Sequence, residues 1–101
     1  MILTLTEAAL EDLRSIRGYT LETWGAEQEE LYLDKLWLRI EAIRSDPFRY
    51  RLHGDLFPGC RIASEGRHVL LFRASEESLE IARVLHSAMD LKSHLSPGHR
   101  L

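Results

Sequence analysis

The sequence predicts an α+β fold in which an N-terminal strand and an antiparallel helical hairpin pack on a small, mostly antiparallel sheet. Three observations support this prediction. Apolar and polar residues alternate at the start of the chain, two stretches with helical apolar periodicity flank a single glycine, and three short strand-like segments follow a loop that contains proline. A last short helical pattern completes the order β-α-α-β-β-β with a C-terminal helix.

The first strand and the first helix are predicted within the first 24 residues. Leu3 and Leu5 alternate with threonine, as in a half-buried strand, and Thr6 is a suitable N-cap for the helix that follows. Spacings of four, three and four residues predict that the helix buries Ala9, Leu13, Ile16 and Thr20. Gly25 should end this helix, because glycine tolerates the left-handed conformation that follows many helices.

The second helix should run from about Ala26 to Asp46, because Pro47 cannot continue it. At about 100° of rotation per residue, the core stripe consists of Tyr32, Leu36, Ile40 and Ile43. Three further apolar residues fall outside that stripe, namely Leu31, Trp37 and Leu38. Two interpretations remain open: the loop after Pro47 or a sheet edge covers them, or they form a groove that receives an apolar partner segment.

The second half of the chain should form most of the sheet. An irregular stretch occupies residues 47–59, and strands are then predicted for 60–64, 68–73 and 79–85, the first two joined by a short turn that contains glycine. Strict alternation would place the odd-numbered residues of the last strand on one face. A short helix is expected over residues 87–95.

Length and composition indicate one globular domain spanning residues 1–101, of which 45% are apolar and 29% charged. A lone cysteine, no secretory start and no apolar stretch of membrane length together predict a cytoplasmic protein without membrane association. The net charge of −3 divides into −5 over residues 1–46 (five basic, ten acidic) and +2 over residues 47–101 (eight basic, six acidic). This acidic balance argues against sequence-specific nucleic-acid binding, whose affinity depends on neutralising phosphates.

Two sets of residues invite a chemical interpretation. His86, Asp90 and His94 recur every four residues and would align as metal ligands on one continuous helix, but His86 follows a strand, so capping and surface roles are favoured. Cys60 has no evident base beside it and is interpreted as a small apolar residue rather than a nucleophile. No metal or other cofactor is expected.

A rival interpretation is an RNA-cleaving site. The arginines of the second half, together with His53 and His86, could surround RNA and supply acid-base groups. Against this, no tyrosine lies beyond Tyr50, and the chain is acidic overall. Arginines on the strands of a small sheet are more often solvated or paired with carboxylates.

Several short motifs follow one another in a characteristic order. They are Ala9-x-x-Asp12-Leu13-x-x-Ile16, Trp24-Gly25-x-x-Gln28-x-x-x-Tyr32, Asp46-Pro47, Gly59-x-Arg61, Gly66-x-His68 and Arg83-x-Leu85-His86-x-x-Met89-Asp90-x-x-x-His94-Leu95. From Leu5 to Leu95 their order and spacing resemble the ParE branch of the RelE/ParE toxin superfamily. The chain departs from that pattern after Pro47, where Phe48-Arg49-Tyr50-Arg51 stands where a Gly-Arg pair is often expected.

The resemblance implies a non-enzymatic toxin of a type II toxin-antitoxin system. Such a toxin binds DNA gyrase and stabilises its cleaved-DNA state, and a ParD-like antitoxin neutralises it in a hetero-oligomer. The RelE branch would instead imply ribosome-dependent cleavage of mRNA, and a third alternative is a partner-binding module without toxicity. The residues expected to bind the antitoxin are Trp24, Leu31, Tyr32, Trp37 and Leu38. Those expected to bind the target are Arg61, Arg83, His86, Met89 and Asp90.

Overall fold

The order of elements agrees with the prediction in the computed structural model, which describes residues 1–87 and 91. The elements are β1 (Ile2–Leu5), α1 (Glu7–Trp24), α2 (Ala26–Ser45), a 3₁₀ helix (Pro47–Arg49), β2 (Arg61–Glu65), β3 (His68–Ala74) and β4 (Ser78–His86). The α+β class is therefore confirmed. The helix predicted for residues 87–95 falls largely outside the described residues.

One four-stranded sheet has the order β1-β4-β3-β2. The N-terminal strand β1 pairs in parallel with β4, whereas β2, β3 and β4 pair antiparallel with one another. The helical hairpin forms the connection that carries the chain from β1 toward the far side of the sheet. The prediction of a mostly antiparallel sheet is thus confirmed.

Local sequence signals determine where the two helices begin and end. The Thr6 hydroxyl oxygen accepts a hydrogen bond from Ala9 N at 3.0 Å, and the same hydroxyl donates to Ala82 O at 2.7 Å, so this N-cap also attaches α1 to β4. Gly25 ends α1 as predicted, but with φ of 93° and ψ of 170° rather than a left-handed helical conformation. Because few other residues tolerate this φ, the glycine permits α2 to begin immediately.

The main core lies between the hairpin and one face of the sheet. The helices contribute Ala9, Leu13, Ile16, Leu36, Ile40 and Ile43. The sheet contributes Ala63, Leu70, Phe72, Leu79, Ile81 and Val84. The buried stripes of both helices were predicted correctly, and Tyr32 packs against this core while remaining partly exposed.

A second, smaller apolar cluster covers the opposite face of the sheet. It consists of Cys60, Val69, Leu71 and Leu85, with Leu56, Phe57, Ile62 and Leu91 packed against it. The irregular loop before β2 therefore packs under the sheet, on the side away from the hairpin. For this reason it leaves Leu31, Trp37 and Leu38 exposed by 49%, 42% and 69%, and the interpretation in which this loop or a sheet edge covers them is wrong.

A β-bulge interrupts the alternation predicted for β4. The β3 partners change from Leu71 opposite Arg83 to Phe72 opposite Ile81, so Ala82 is an extra residue. As a result, Ile81 and Val84 belong to the core beneath the helices, whereas Leu85 belongs to the cluster on the other face. The prediction of one continuous odd-numbered face is wrong at this point.

Candidate partner-binding site

An open apolar pocket lies where the C-terminal half of α1 and the start of α2 meet the end of the sheet. Its volume is about 680 Å³, and its base includes the buried side chains of Ile16 and Val84. We call it the Trp24 pocket; its walls include Tyr19, Trp24, Tyr32, Arg67, Arg83 and His86. A volume of several hundred cubic ångströms with mainly apolar walls and a few polar groups is typical of a binding site.

The lining of the Trp24 pocket includes an ion pair between Asp12 of α1 and Arg83 of β4. Arg83 Nε lies 2.8 Å from Asp12 Oδ2, and Arg83 Nη2 donates to Asp12 Oδ1 at 2.9 Å. Asp12 Oδ2 also accepts from Val84 N at 2.9 Å. The hydrogen bond to Asp12 raises the pKa of Arg83, so the guanidinium stays charged over the physiological pH range. Arg83, expected to bind the target, therefore has its charge matched within the chain.

One wall of the Trp24 pocket is formed by a hydrogen-bonded contact between α2 and the turn from β2 to β3. Tyr32 Oη accepts from Arg67 N at 3.1 Å and lies 3.1 Å from Glu65 O and 2.6 Å from His68 Nδ1. Burial raises the pKa of Tyr32, so its hydroxyl keeps the proton that it donates. Burial lowers the pKa of His68, and the nearby His86, with a ring centroid 5.4 Å away, lowers it further. His68 is therefore neutral at pH 7.

Gly66 allows the Tyr32 ring to approach the turn between β2 and β3 closely. Its φ is 57°, and a Cβ atom built on it would lie only 2.7 Å from Tyr32 Cε1. We expect Gly66→Ala to lower the free energy of unfolding by about 1 to 3 kcal/mol, through backbone strain and displacement of the tyrosine ring. Urea denaturation measures the loss. Gly18→Ala is the matched control, since Gly18 lies inside α1 with open space around it and should gain stability. Equal stability of the two variants would contradict the prediction.

Arg67 and Trp24 form the rim of the Trp24 pocket. The Arg67 guanidinium carbon lies 5.4 Å from the centroid of the Trp24 ring, within the range of a cation-π contact. Trp24 is 53% exposed, which is high for a tryptophan. Within residues 1–87 and 91, Arg67 forms no ion pair. The rim therefore presents an aromatic surface and an unmatched positive charge.

A second exposed feature lies on the side of α2 that faces away from the core. At about 100° per residue, seven residues between Glu27 and Glu41 fall within about 120° of rotation, opposite Tyr32. They are the apolar Leu31, Trp37 and Leu38 and the acidic Glu27, Glu30, Asp34 and Glu41, all exposed. We call them the outer surface of α2. A shallow depression in it is lined by Asp34, Trp37, Leu38 and Glu41.

The residues expected to bind partners are thus divided among separate places. Trp24 and Tyr32 line the same pocket as Arg83 and His86, whereas Leu31, Trp37 and Leu38 belong to the outer surface of α2. Arg61 lies apart on β2, where its guanidinium donates to Phe48 O and Tyr50 O and stacks 5.2 Å from the Phe48 ring centroid. Met89 and Asp90 lie outside the described residues, as do two of the three residues of the predicted His-Asp-His set.

Cys60 is fully buried, and burial raises the pKa of its thiol from 9.0 to about 11. We expect iodoacetamide at pH 8 to alkylate Cys60 about a hundredfold more slowly than in the unfolded chain, because the thiolate is the reactive form. Since the folded pKa is raised, the thiol favours folding below pH 9, and that contribution is lost between pH 9 and 11. A Ser64→Cys variant provides an exposed control on β2; mass spectrometry should find one adduct, on the introduced thiol. Rapid labelling of Cys60 would contradict this.

Comparison with a solved structure gives the class of the fold. The chain superposes on a chain of the chromosomal ParDE toxin-antitoxin system from Pseudomonas aeruginosa with a TM-score of 0.72, covering 85% of this chain and 95% of that one. The sequence identity is 18%, so this likeness concerns the fold alone. The strand, hairpin and four-stranded sheet are therefore an arrangement found in a ParDE system.

Sequence comparison then gives the family. Residues 3–91 match the family described as the ParE toxin of the type II toxin-antitoxin system parDE. The chain is 35% identical to Toxin ParE1 of Mycobacterium tuberculosis over 92 residues, covering 90% of this chain and 94% of that protein. It is 37% identical to Toxin ParE of Escherichia coli over 94 residues, covering 91% and 90%. The chain belongs to the ParE toxin family.

Proposed function

We propose that this ParE-family chain is a toxin that binds DNA gyrase, stabilises the cleaved-DNA state of that enzyme, and is neutralised by a ParD-like antitoxin in a hetero-oligomer. Family membership supports the assignment to a toxin-antitoxin system. The observation that carries the proposal further is the outer surface of α2, where three large apolar side chains remain exposed on a chain of 101 residues. Such a surface is typical of a protein that functions in a complex.

The chemistry of this surface indicates what kind of segment the antitoxin places on it. Leu31 and Leu38 are seven residues apart, which puts them on one line along the helix, as in a groove that receives an amphipathic helix. Glu27, Glu30 and Asp34 form no ion pair among the residues described, so the negative charge remains available. We therefore assign the outer surface of α2 to an antitoxin helix that carries basic residues beside its apolar face.

A binding function rather than catalysis agrees with the chemistry of the described residues. The Cys60 thiol is buried and has a raised pKa, which makes it a poor nucleophile. Arg83 is paired with Asp12, and His68 is hydrogen-bonded to Tyr32. Two groups of the Trp24 pocket that could perform acid-base or phosphate chemistry, Arg83 and His68, therefore already have structural partners. We propose that the toxin acts without catalysing a reaction.

We propose that the target contacts the end of the sheet near His86 and the residues that follow, Met89 and Asp90. The second half of the chain, residues 47–101, carries the excess of basic residues, which suits a partner bound to DNA. Arg61 contributes a second basic position on β2. The proposed target and antitoxin both place the protein in the cytoplasm; within the described residues, no helix has the length and apolar character needed to cross a membrane.

Induction of the toxin without its antitoxin tests the proposal. We expect filamentous cells and a DNA-damage response in culture, and an accumulation of cleaved DNA when the purified toxin is added to gyrase and supercoiled plasmid. Rapid arrest of translation with cleaved mRNA would instead identify a ribosome-dependent nuclease. Normal growth despite abundant folded protein would identify a partner-binding module without toxicity.

A further inference from the structure

One cavity joins residues that the sequence assigns to two different partners. Trp24 and Tyr32, expected to bind the antitoxin, line the Trp24 pocket together with Arg83 and His86, expected to bind the target. The Tyr32 hydroxyl contacts His68, and the His68 ring lies 5.4 Å from that of His86, so the two sets are in contact through a continuous wall. A segment that fills this cavity necessarily covers both sets.

The charges of the Trp24 pocket define the chemistry of its occupant. Asp12 neutralises Arg83, and His68 is neutral at pH 7, so neither Arg83 nor His68 requires a negatively charged partner. Arg67 at the rim has an exposed guanidinium that stacks on Trp24 and forms no ion pair among the described residues. A complementary segment therefore has a large apolar side chain for the base of the pocket and a carboxylate beside it for Arg67.

We infer that the antitoxin, on the proposed function, inserts an apolar side chain flanked by an acidic residue into the Trp24 pocket, and that it neutralises the toxin by excluding gyrase from this surface. The antitoxin is the expected occupant because a concave site with buried apolar residues at its base and aromatic walls is characteristic of a stable, well-packed interface. This contact is distinct from the one on the outer surface of α2, which has the opposite charge.

Charge reversal at the rim tests the occupant. The cognate antitoxin, cloned from the reading frame adjacent to the toxin, is titrated calorimetrically against wild-type toxin, Arg67→Glu and the control Arg51→Glu, an exposed arginine outside the pocket. We expect Arg67→Glu to weaken antitoxin binding about thirtyfold or more, and Arg51→Glu to change it less than about threefold. Replacing the antitoxin carboxylate that pairs with Arg67 by lysine should restore the affinity for the Arg67→Glu toxin. It should not increase the affinity for wild-type toxin. Equal affinities of the three toxins would overturn the inference.

The exposure of Trp24 distinguishes the antitoxin from other occupants. In toxin containing fluorotryptophan, the resonance of residue 24, assigned by its absence in Trp24→Phe, should show solvent contact in the free toxin and lose it when the antitoxin binds. A residue already shielded in the free toxin would mean that the chain itself or a second copy fills the pocket. That result would contradict the inference.

Mutual exclusion is tested with immobilised gyrase. Free toxin should bind, whereas the preformed toxin-antitoxin complex should not; a ternary complex would overturn the inference. If Arg67→Glu loses gyrase binding but keeps antitoxin affinity, the pocket belongs to the target and the inference is wrong. If free wild-type toxin fails to bind gyrase while Arg67→Glu still weakens the antitoxin complex, the proposed target is wrong and the assignment of the pocket to the antitoxin stands.

Discussion

Replacing Leu38 by aspartate is expected to weaken antitoxin binding by about a hundredfold while changing the free energy of unfolding by less than about 0.5 kcal/mol. Leu38 is 69% exposed, so the free toxin loses little packing when it is replaced. In the complex, the new carboxylate would be buried against an apolar partner face, beside Asp34 and Glu41 of the same depression. An unpaired buried charge near two like charges is among the most costly changes at an interface.

Two further variants separate charge from packing. Leu38→Ala removes only the apolar contact and should weaken binding about tenfold, whereas Leu10→Asp places the same charge on an exposed position of α1, 40% accessible, and should leave affinity unchanged. Calorimetric titration gives the affinities, and urea denaturation gives the stabilities. A loss of stability in Leu38→Asp that matches its loss of affinity would assign Leu38 to the core. Unchanged affinity would remove the outer surface of α2 from the antitoxin interface.

The sequence predicts the helices well because their signals are local. Thr6 caps α1 through its own hydroxyl, Gly25 and Pro47 stop helices by backbone geometry, and apolar spacing identifies the buried stripes. Local sequence signals could not predict that Leu38 is exposed. Its exposure depends on where the irregular loop packs, and that loop covers the opposite face of the sheet.

The Trp24 pocket was recognised only in part, because its walls come from distant parts of the chain. Sequence reasoning named Trp24, Tyr32, Arg83 and His86 but assigned them to different partners, and it considered Arg67 only as part of the rival RNA-cleaving site. A contact between Tyr32 and Gly66 across 34 positions leaves no periodic signal. The only available indication was that Asp12 and Gly66 stand in the motifs that resemble the ParE family.

The bulge at Ala82 explains why the contact between Arg83 and Asp12 was not predicted. Simple alternation places Arg83 on the same face as Ile81 and Leu85 and does not single out a partner for it. The extra residue changes the phase of β4, and Arg83 and the amide of Val84 both bond to Asp12. The alternation of residues along a single strand cannot predict a bulge, since the bulge depends on the pairing of β3 with β4.

Replacing Asp12 by alanine is therefore expected to lower the free energy of unfolding by about 2 to 4 kcal/mol. The Asp12 and Arg83 side chains are only 14% and 24% exposed, so removal of the carboxylate leaves a largely enclosed guanidinium without its counter-charge. The variant also leaves the Val84 amide without its acceptor. For a domain of this size, such a loss corresponds to a decrease in Tm of roughly 10 to 25 °C, which thermal denaturation measures directly.

A matched control and a double-mutant cycle show whether the Asp12–Arg83 pair itself is responsible. Arg14→Ala breaks an ion pair with Glu11 on the same helix, where both side chains are about 70% exposed, and should cost less than about 0.5 kcal/mol. Asp12→Asn retains an acceptor for the Val84 amide and should be intermediate. With Arg83→Met as the second mutation, the cycle should give a coupling energy of about 1 to 3 kcal/mol. A cost for Asp12→Ala no larger than that for Arg14→Ala would mean that Arg83 does not depend on Asp12, and its charge would then be available to a partner in the Trp24 pocket.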